Sequence, residues 1–459
     1  MSYTREELEK NYNIHKIKEI CIGLGGTPGT KKKDQIIELI LDIQNGMVPQ
    51  KKSAGRKSNL EKAREYQVDE FSKTQVSDHE TPSIETTYNF GEAIKVSGTF
   101  EKYENADHGF LRGENFKITS VSDVYVKPQN VRAFRLREGD FVEGTAVYGR
   151  DNGAPSLQTV DKINGMPYSL EKRRKFSDLE PYYPDKKINL EVENSSDISL
   201  REIDLLSPIG LGQRGLIVAP PKTGKTTLLK KIASAISKNH KGVKLIVLLI
   251  GERPEEVTDI KRSVVAEVIY STFDEKPKNH VRICNLAIEK AKRMVECGED
   301  VVILLDSITR LTRAFNETIS SSGKTLTGGI DPTALQEAKR VFGSARNVGN
   351  GSLTIIATAL VQTGSKMDDV IYEEFKGTGN SEIVLKSSLS ERRIFPAIDL
   401  YRSGTRKEEL LLSEEELDCA YGLRRYLSGR EDAEISLIET FKNTKNNQEL
   451  IEKTSTWFK

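Results

Sequence analysis

Cysteine is scarce in these 459 residues: Cys21, Cys284, Cys297 and Cys419 lie far apart, with neither metal-ligand nor disulfide spacing. That excludes a cystine-stapled scaffold and a cysteine-based zinc site, and it agrees with a reducing cytoplasm. No run approaches the roughly 20 apolar residues that cross a bilayer, and the opening MSYTREELEK lacks the apolar core of a secretory signal. A soluble, unexported, cytoplasmic protein without a membrane partner is expected. An excess of one charge is lacking too: 69 Lys plus Arg face 68 Asp plus Glu, for a net charge of +1. Any polyanion must therefore be met by local patches of positive charge. There is no repeat of solenoid period.

What is present divides the chain. Its length is too great for one ordinary core. Residues 1–46 read as a small helical module: Thr4 and Glu7 form a capping box, Ile14, Ile17 and Cys21 recur at helical spacing, and Ile36, Leu39, Ile40 and Ile43 share one helix face. Residues 47–91 are mostly Lys, Glu, Ser, Gln and Thr, a composition that covers its ordering entropy poorly and reads as a flexible charged linker. Its basic start, QKKSAGRKSNLEKAR, is either a solvated run or a brush against RNA. Over 92–165, short strands alternate with turn signals (AIKVSGTFEKY, DHGFLRG, SDVYVKP, DFVEGTAVYGR), which predicts a small all-β barrel of OB or cold-shock size. A Pro- and Tyr-bearing connector over 166–200 leads to 201–459, where the strands GLIVAP, KLIVLLI, DVVILLD and SLTIIATAL alternate with helical stretches. Such alternation predicts an α/β core of parallel strands with helices on both faces.

The chemistry collects at the carboxyl ends of those strands. After GLIVAP, the segment Ala219–Thr226 reads APPKTGKT and runs straight into the helical TLLKKIASAIS. Strand, phosphate loop and helix in this order let backbone N–H groups curl around phosphates, with the helix N-terminus adding positive potential. The candidate ATP-binding residues are Pro221, Lys222, Thr223, Gly224, Lys225, Thr226 and Thr227. Lys225 reaches the β and γ oxygens, and the Thr226 hydroxyl ligands Mg²⁺. The strict motif wants Gly where Ala219 stands, so context carries the assignment. DVVILLD ends in Asp306, placed to hold the Mg²⁺ shell, partly through water. KLIVLLI runs into GERPEEV, which sets Glu252 at the sheet's carboxyl edge as the catalytic carboxylate that orients water. Its bland alternatives are an ion pair with Arg253 or a helix cap.

Five separated blocks, GLIVAPPKTGKT, IGERPEEVTDI, ILLDSITRLTRAFN, TLTGGIDPTAL and FPAIDLYRSGTRKEELL, together resemble the bacterial transcription termination factor Rho family. The resemblance runs through the ATPase region and more loosely across the barrel and N-terminal module, and it leaves 47–91 without a counterpart. It implies a RecA-type fold in a homohexameric ring with each ATP held between subunits, and ATP hydrolysis to ADP and phosphate coupled to 5′-to-3′ movement along single-stranded RNA. RNA polymerase and elongation factors are implied partners. By this resemblance Arg406 is the arginine finger given to a neighbour, Arg253 senses nucleotide state, Lys222 is a second phosphate-loop lysine, and Phe395 packs on adenine. From the residues alone Phe395 reads more readily as core than as a base contact. Central-pore RNA contacts carry over to SSGKTLTGG, with Lys324, Thr327 and Gly328, and to Lys366 in TGSKMDD, both expected after sheet elements. In the barrel, HGFLRG and SDVYVKP resemble the primary RNA site, with Phe110, Arg112, Asp123 and Tyr125 stacking on bases or meeting phosphate and base edges. The family's GFGF is broken by His108, and no aromatic stands near Ala154, so a cytosine preference is not implied.

Two other readings share part of this pattern. A RecA-type ATPase of another machine, a DNA helicase or a rotary ATPase subunit, needs the same phosphate loop and Asp306 but neither barrel nor pore loops. A non-enzymatic RNA-binding protein with a nucleotide switch needs no Glu252 or Arg406.

Overall fold

The computed structural model describes Ile17, residues 20–21 and 33–44, and residues 91–457 apart from 105, 120–122, 150–153, 170, 172, 194, 196 and 431. The chain separates into two compact units, Met1–Glu85 and Thr86–Lys459. In the first, helix α1 (Lys33–Gln44) buries Ile36, Ile37 and Ile40 in a small cluster with Ile17 and Cys21. Ile37 shares that cluster with Ile36 and Ile40 of the expected face, whose Leu39 and Ile43 side chains lie outside the described residues. The capping box at Thr4 and Glu7, Ile14, and the expected linker up to residue 90 lie outside the described residues.

The second unit opens with strands β1 (Ala93–Lys102), β2 (Gly109–Arg112) and β3 (Val124–Val126), short helix α2 (Pro128–Ala133), and strands β4 (Phe141–Val147), β5 (Ser156–Ile163) and β6 (Met166–Pro167). The order is β3-β2-β1-β4-β5-β6, and a parallel bridge between Tyr125 and Ser156 closes β1–β5 into a five-stranded barrel. Alternation decides which side faces in: every second residue of β4 is buried. Phe100, Leu111, Val124, Val126, Val142 and Leu157 fill the interior.

The rest is a three-layer core. Its elements are α3 (Ile198–Leu206), β7 (Arg214–Ala219), α4 (Lys225–Asn239), β8 (Lys244–Glu252), α5 (Pro254–Ser263), β9 (Glu267–Thr272), α6 (Pro277–Val295), β10 (Asp300–Asp306), α7 (Ile308–Thr318), α8 (Pro332–Phe342), β11 (Arg346–Asn347), β12 (Ser352–Leu360), α9 (Lys366–Lys376), β13 (Ser381–Val384), α10 (Ser387–Glu391) and β14 (Gly404–Thr405). Helices α11 (Glu414–Leu427), α12 (Ala433–Lys442) and α13 (Asn447–Trp457) follow. The sheet order is β14-β13-β7-β12-β10-β8-β9, with β13 through β9 parallel along that path and β11 antiparallel beside β12. Ile246, Leu248 and Ile250 enter the cluster on one face, while Leu245, Val247 and Leu249 enter the cluster on the other. A strand buried on both faces has no polar alternation to show, which is why these segments read as unbroken apolar runs. The edge strand β9 (EVIYST) and the outlying β13 (SEIV), next to the two-residue edge strand β14, are shorter and more polar, and they carry no unbroken apolar run.

Barrel and core meet at that β9 edge. Asn115 accepts from the backbone N–H of Tyr270 (2.6 Å) and donates to its carbonyl (3.0 Å), so one side chain occupies the open edge of the sheet. Arg137 Nη2 pairs with Glu296 at 2.6 Å, and Arg282 Nη1 with Glu101 at 2.7 Å.

Candidate active site and RNA surfaces

The turn after β7 places the phosphate loop at the carboxyl end of a central strand. Lys222 and Gly224 adopt left-handed backbone conformations (φ +65° and +89°), which curls residues 220–224 back toward the start of α4. A Cβ at position 224 would be strained, so glycine is required there. Thr223 Oγ1 donates to the Pro220 carbonyl at 2.8 Å and locks the turn. No side chain caps α4, so its first N–H groups are left for an anion. Pro221, Lys222 and Thr227 are exposed and Thr226 is half-buried.

Beneath the loop three strand ends converge. Lys225 Nζ donates to Asp306 Oδ1 at 2.5 Å and to Glu252 Oε1 at 3.1 Å, although they lie 81 and 27 residues away. Both carboxylates are essentially inaccessible, Glu252 at 2% and Asp306 at 0% exposure. Burial, and then the negative Asp306, push the Glu252 carboxyl up to about 7, against the partial opposition of Lys225 and Arg310. Burial works against the charge of Lys225, but Asp306 and Glu252 outweigh it and hold the ammonium above its ordinary value. Asp306 Oδ1 also accepts from Thr358 at 2.7 Å, while Oδ2 has no partner among the described residues. That orphaned buried oxygen, together with a hydroxyl such as that of Thr226, is of the hard oxygen-donor type that Mg²⁺ takes. Thr226 meanwhile donates to Glu256 at 3.4 Å.

Arg310, one helical turn past Asp306 on α7, escaped the sequence reading. It donates to the Gly251 carbonyl at 2.7 Å and lies 3.5 Å from Glu252. Its only sequence signal is the i, i+4 spacing from Asp306, which does not say where the long side chain goes. Arg253 instead stands exposed as the N-cap of α5 and does not pair with Glu252, which removes one of the bland alternatives for that carboxylate.

Beside the loop lies a cleft of about 260 Å³, bounded by Lys222, Gly224, Thr227, Leu228, Lys231 and Phe395. Phe395 is 49% exposed, so it is not core, and its ring stands 3.8 Å from where a Cβ of Gly224 would be. A flat apolar face here suits a nucleobase. Phe395→Ala is expected to raise the KM for ATP about tenfold with kcat changed less than about twofold, since stacking serves ground and transition states alike. Steady-state kinetics check this, and an unchanged KM refutes the assignment.

Arg406 lies elsewhere. Ser381 pairs with Gly215 on β7 and with Thr405 on β14, so Arg406 sits exposed near the amino end of β7, whereas the phosphate loop is at its carboxyl end. The fold does not bring Arg406 to its own Lys225.

Gly328 (φ +84°) packs so closely that a Cβ would come within 3.0 Å of the Lys366 carbonyl oxygen and Met367 Cα. The two candidate pore loops therefore touch, with Lys324, Thr327 and Lys366 exposed around the contact. One expectation is corrected: SSGKTLTGG follows helix α7, not a strand, although TGSKMDD does follow β12. Gly328→Ala must part the loops, and RNA-stimulated ATP turnover is expected to fall on the order of tenfold. Wild-type stimulation would exclude a role for this contact.

On the barrel, Phe110 and Tyr125 face each other in register across β2 and β3, with ring centroids 5.6 Å apart. Arg112 lies over the Phe110 ring at 4.8 Å and pairs with Asp123 and Glu101. His108 stacks on Tyr103 at 5.1 Å. The four candidate residues come together, but the expectation of open aromatic faces is not met. Phe110 is 4% and Tyr125 5% exposed, because the rings tile one another and Arg112 is occupied by two carboxylates.

A parallel sheet with a lysine-bearing phosphate loop and two strand-end carboxylates, preceded by a closed five-stranded barrel, defines a RecA-type ATPase core joined to a nucleic-acid-binding barrel. Residues 96–169 match the model of the Rho termination factor RNA-binding domain, and residues 199–405 that of the ATP synthase alpha/beta family nucleotide-binding domain. Transcription termination factor Rho of Aquifex aeolicus is 46% identical over 460 residues, covering 98% of this chain and 95% of that protein. The Rho of Bacillus subtilis is 48% identical over 399 residues, covering 86% and 93%. The chain belongs to the transcription termination factor Rho family. Among solved structures, a prototypical ATPase from the type III secretion system of pathogenic bacteria superposes with a TM-score of 0.51 at 23% identity, over 66% of this chain and 94% of that one, a likeness of fold alone.

Proposed function

We propose that this chain is an RNA-stimulated ATPase that converts ATP to ADP and phosphate, moves 5′ to 3′ along single-stranded RNA, and terminates transcription by releasing nascent RNA from RNA polymerase. The observation that carries the reading is Lys225 held between Glu252 and Asp306 under a phosphate loop, in a chain whose barrel matches an RNA-binding family. Lys225 meets the β and γ oxygens, the amino end of α4 receives the phosphates, and Phe395 walls the base. Glu252 orients the attacking water and takes its proton, and Arg253 responds to nucleotide state. Thr226 and Asp306, the latter partly through water, would hold Mg²⁺, which when bound supplies charge neutralisation at the phosphates. Arg406, remote from its own phosphate loop, serves a neighbour's γ-phosphate, which calls for a ring of identical subunits, here a homohexamer. RNA engages the barrel at the face where Phe110, Arg112, Asp123 and Tyr125 cluster, once their mutual packing opens, then the loops bearing Lys324, Thr327, Gly328 and Lys366. The working divisions are 1–46, 47–91, 92–165, 166–200 and 201–459, with elongation factors as further partners in the cytoplasm. Among the described residues no helix is long and apolar enough to cross a membrane.

Phosphate release measured at low salt tests the reading. Single-stranded RNA is expected to raise turnover and DNA of the same sequence to fail, because the 2′-hydroxyl marks RNA. Equal stimulation by DNA favours another RecA-type machine, and a single turnover without release favours a nucleotide switch. Transcript release from stalled polymerase, with and without ATP, completes the test.

A further inference from the structure

The barrel's RNA face has a fourth charged member that comes from the ATPase core. Asp123, Arg112 and Glu101 belong to the barrel, and the row ends on Arg282 of α6, 181 residues away from Glu101. Each oxygen of Glu101 serves a different arginine: Oε2 accepts from Arg112 Nε at 2.5 Å and Oε1 from Arg282 Nη1 at 2.7 Å. Arg282 is itself fixed, donating through Nη2 to the Phe116 carbonyl (2.8 Å) and through Nε to Asn279 (3.1 Å). The Glu101 side chain is 10% exposed, Arg112 4% and Asp123 2%, so solvent screens these charges little. Burial acts to raise Glu101, yet Arg282 and then Arg112 outweigh it and keep the carboxyl below its usual range, so it stays ionised.

The charge balance gives Arg282 its significance. Two carboxylates and two guanidiniums cancel, whereas the three barrel residues alone carry a net charge of −1. A buried, weakly screened negative charge under a surface meant for a polyanion opposes binding. We propose that Arg282 is a positioning residue for RNA on the barrel: acting through Glu101, it removes the surplus negative charge beneath the face and fixes the carboxylate that holds Arg112. This rests on the reading of Arg112 as an RNA contact. It makes the barrel's affinity depend on a residue of the ATPase core that itself touches no RNA.

The test uses the full-length chain and a short labelled single-stranded RNA of mixed sequence in a direct binding titration. Arg282→Gln is expected to weaken binding roughly tenfold, and Arg282→Lys to stay within about twofold of wild type. Adding Glu101→Gln to Arg282→Gln restores neutrality and is expected to recover most of the loss, which a purely structural defect would not allow. Glu101→Gln alone is expected to bind at least as tightly as wild type, giving a second measure if Arg282→Gln folds poorly. Normal binding by Arg282→Gln while Arg112→Ala loses RNA overturns the inference, as does a double variant no better than the single one or weakened binding by Glu101→Gln. Normal binding by Arg112→Ala overturns the reading of the RNA face itself, and the inference with it.

Discussion

Lys225→Ala is expected to lower ATP turnover at least about a thousandfold, because it removes the side chain proposed to meet the transferring phosphates, which also pairs with both Glu252 and Asp306. The loss reaches beyond phosphate contact. Lys225 is the cation between two buried carboxylates. Without it, Glu252 and Asp306 face each other unpaired in a poorly solvated site, and breaking such a buried pair costs about 3–5 kcal/mol unless one carboxyl takes a proton. Glu252 is already raised to about 7 and takes the proton first, which also removes the base. The variant should therefore be inactive and melt at a lower temperature, most clearly above neutral pH, while oligoribonucleotide binding on the barrel stays intact. Phosphate release and a thermal melt check both halves. Turnover near wild type would remove the nucleotide site from this position.

Glu252→Gln carries the second large effect. It keeps the shape and one acceptor but not the charge, and loss of a general base lowers kcat by about 10²–10⁴-fold. The same residue sets the pH dependence. Its carboxyl, raised from 4.5 to about 7 in the fold, must be ionised to act, so kcat/KM is expected to rise with pH through an acid limb near 7. Stability moves the other way. Below pH 4.5 the group is protonated in folded and unfolded chains alike. Between 4.5 and about 7 the folded state holds the proton more tightly, so the stability due to this group is lost as pH rises through that window. Glu252→Gln is expected to remove this dependence and to raise the melting temperature at neutral pH while lowering activity, the mark of a site kept strained for function. An acid limb that persists in the Gln variant would assign the titration elsewhere. A Gln variant with wild-type turnover would remove Glu252 from catalysis.

Legibility differed by residue for physical reasons. Lys225 sits in a contiguous motif, and Asp306 and Glu252 end strands whose burial on both faces makes them unbroken apolar runs, so strand ends could be read in one dimension. Strands β9 and β13 lie at or next to the ends of the sheet and are shorter and more polar, which left no such signal. Arg310 was invisible because its function lies in a long side chain's destination, the Gly251 carbonyl 59 residues away, and spacing along a helix does not specify that. The barrel aromatics were legible as a group, but their mutual burial was not, since it depends on β2 and β3 pairing in the register that sets Phe110 against Tyr125.

By itself, the order of residues determined a parallel α/β core with a phosphate loop at a strand end, a small β barrel before it, and the short-range backbone chemistry of the loop, because each of these is encoded by neighbours along the chain. Tertiary structure alone decided that Lys225 spans two carboxylates, that Arg406 stands away from its own loop, that two distant loops meet at Gly328, and that Arg282 of the core neutralises a carboxylate under the barrel. Charges and close contacts of this kind act through a few ångströms of space, and separation along the polymer carries no information about that distance.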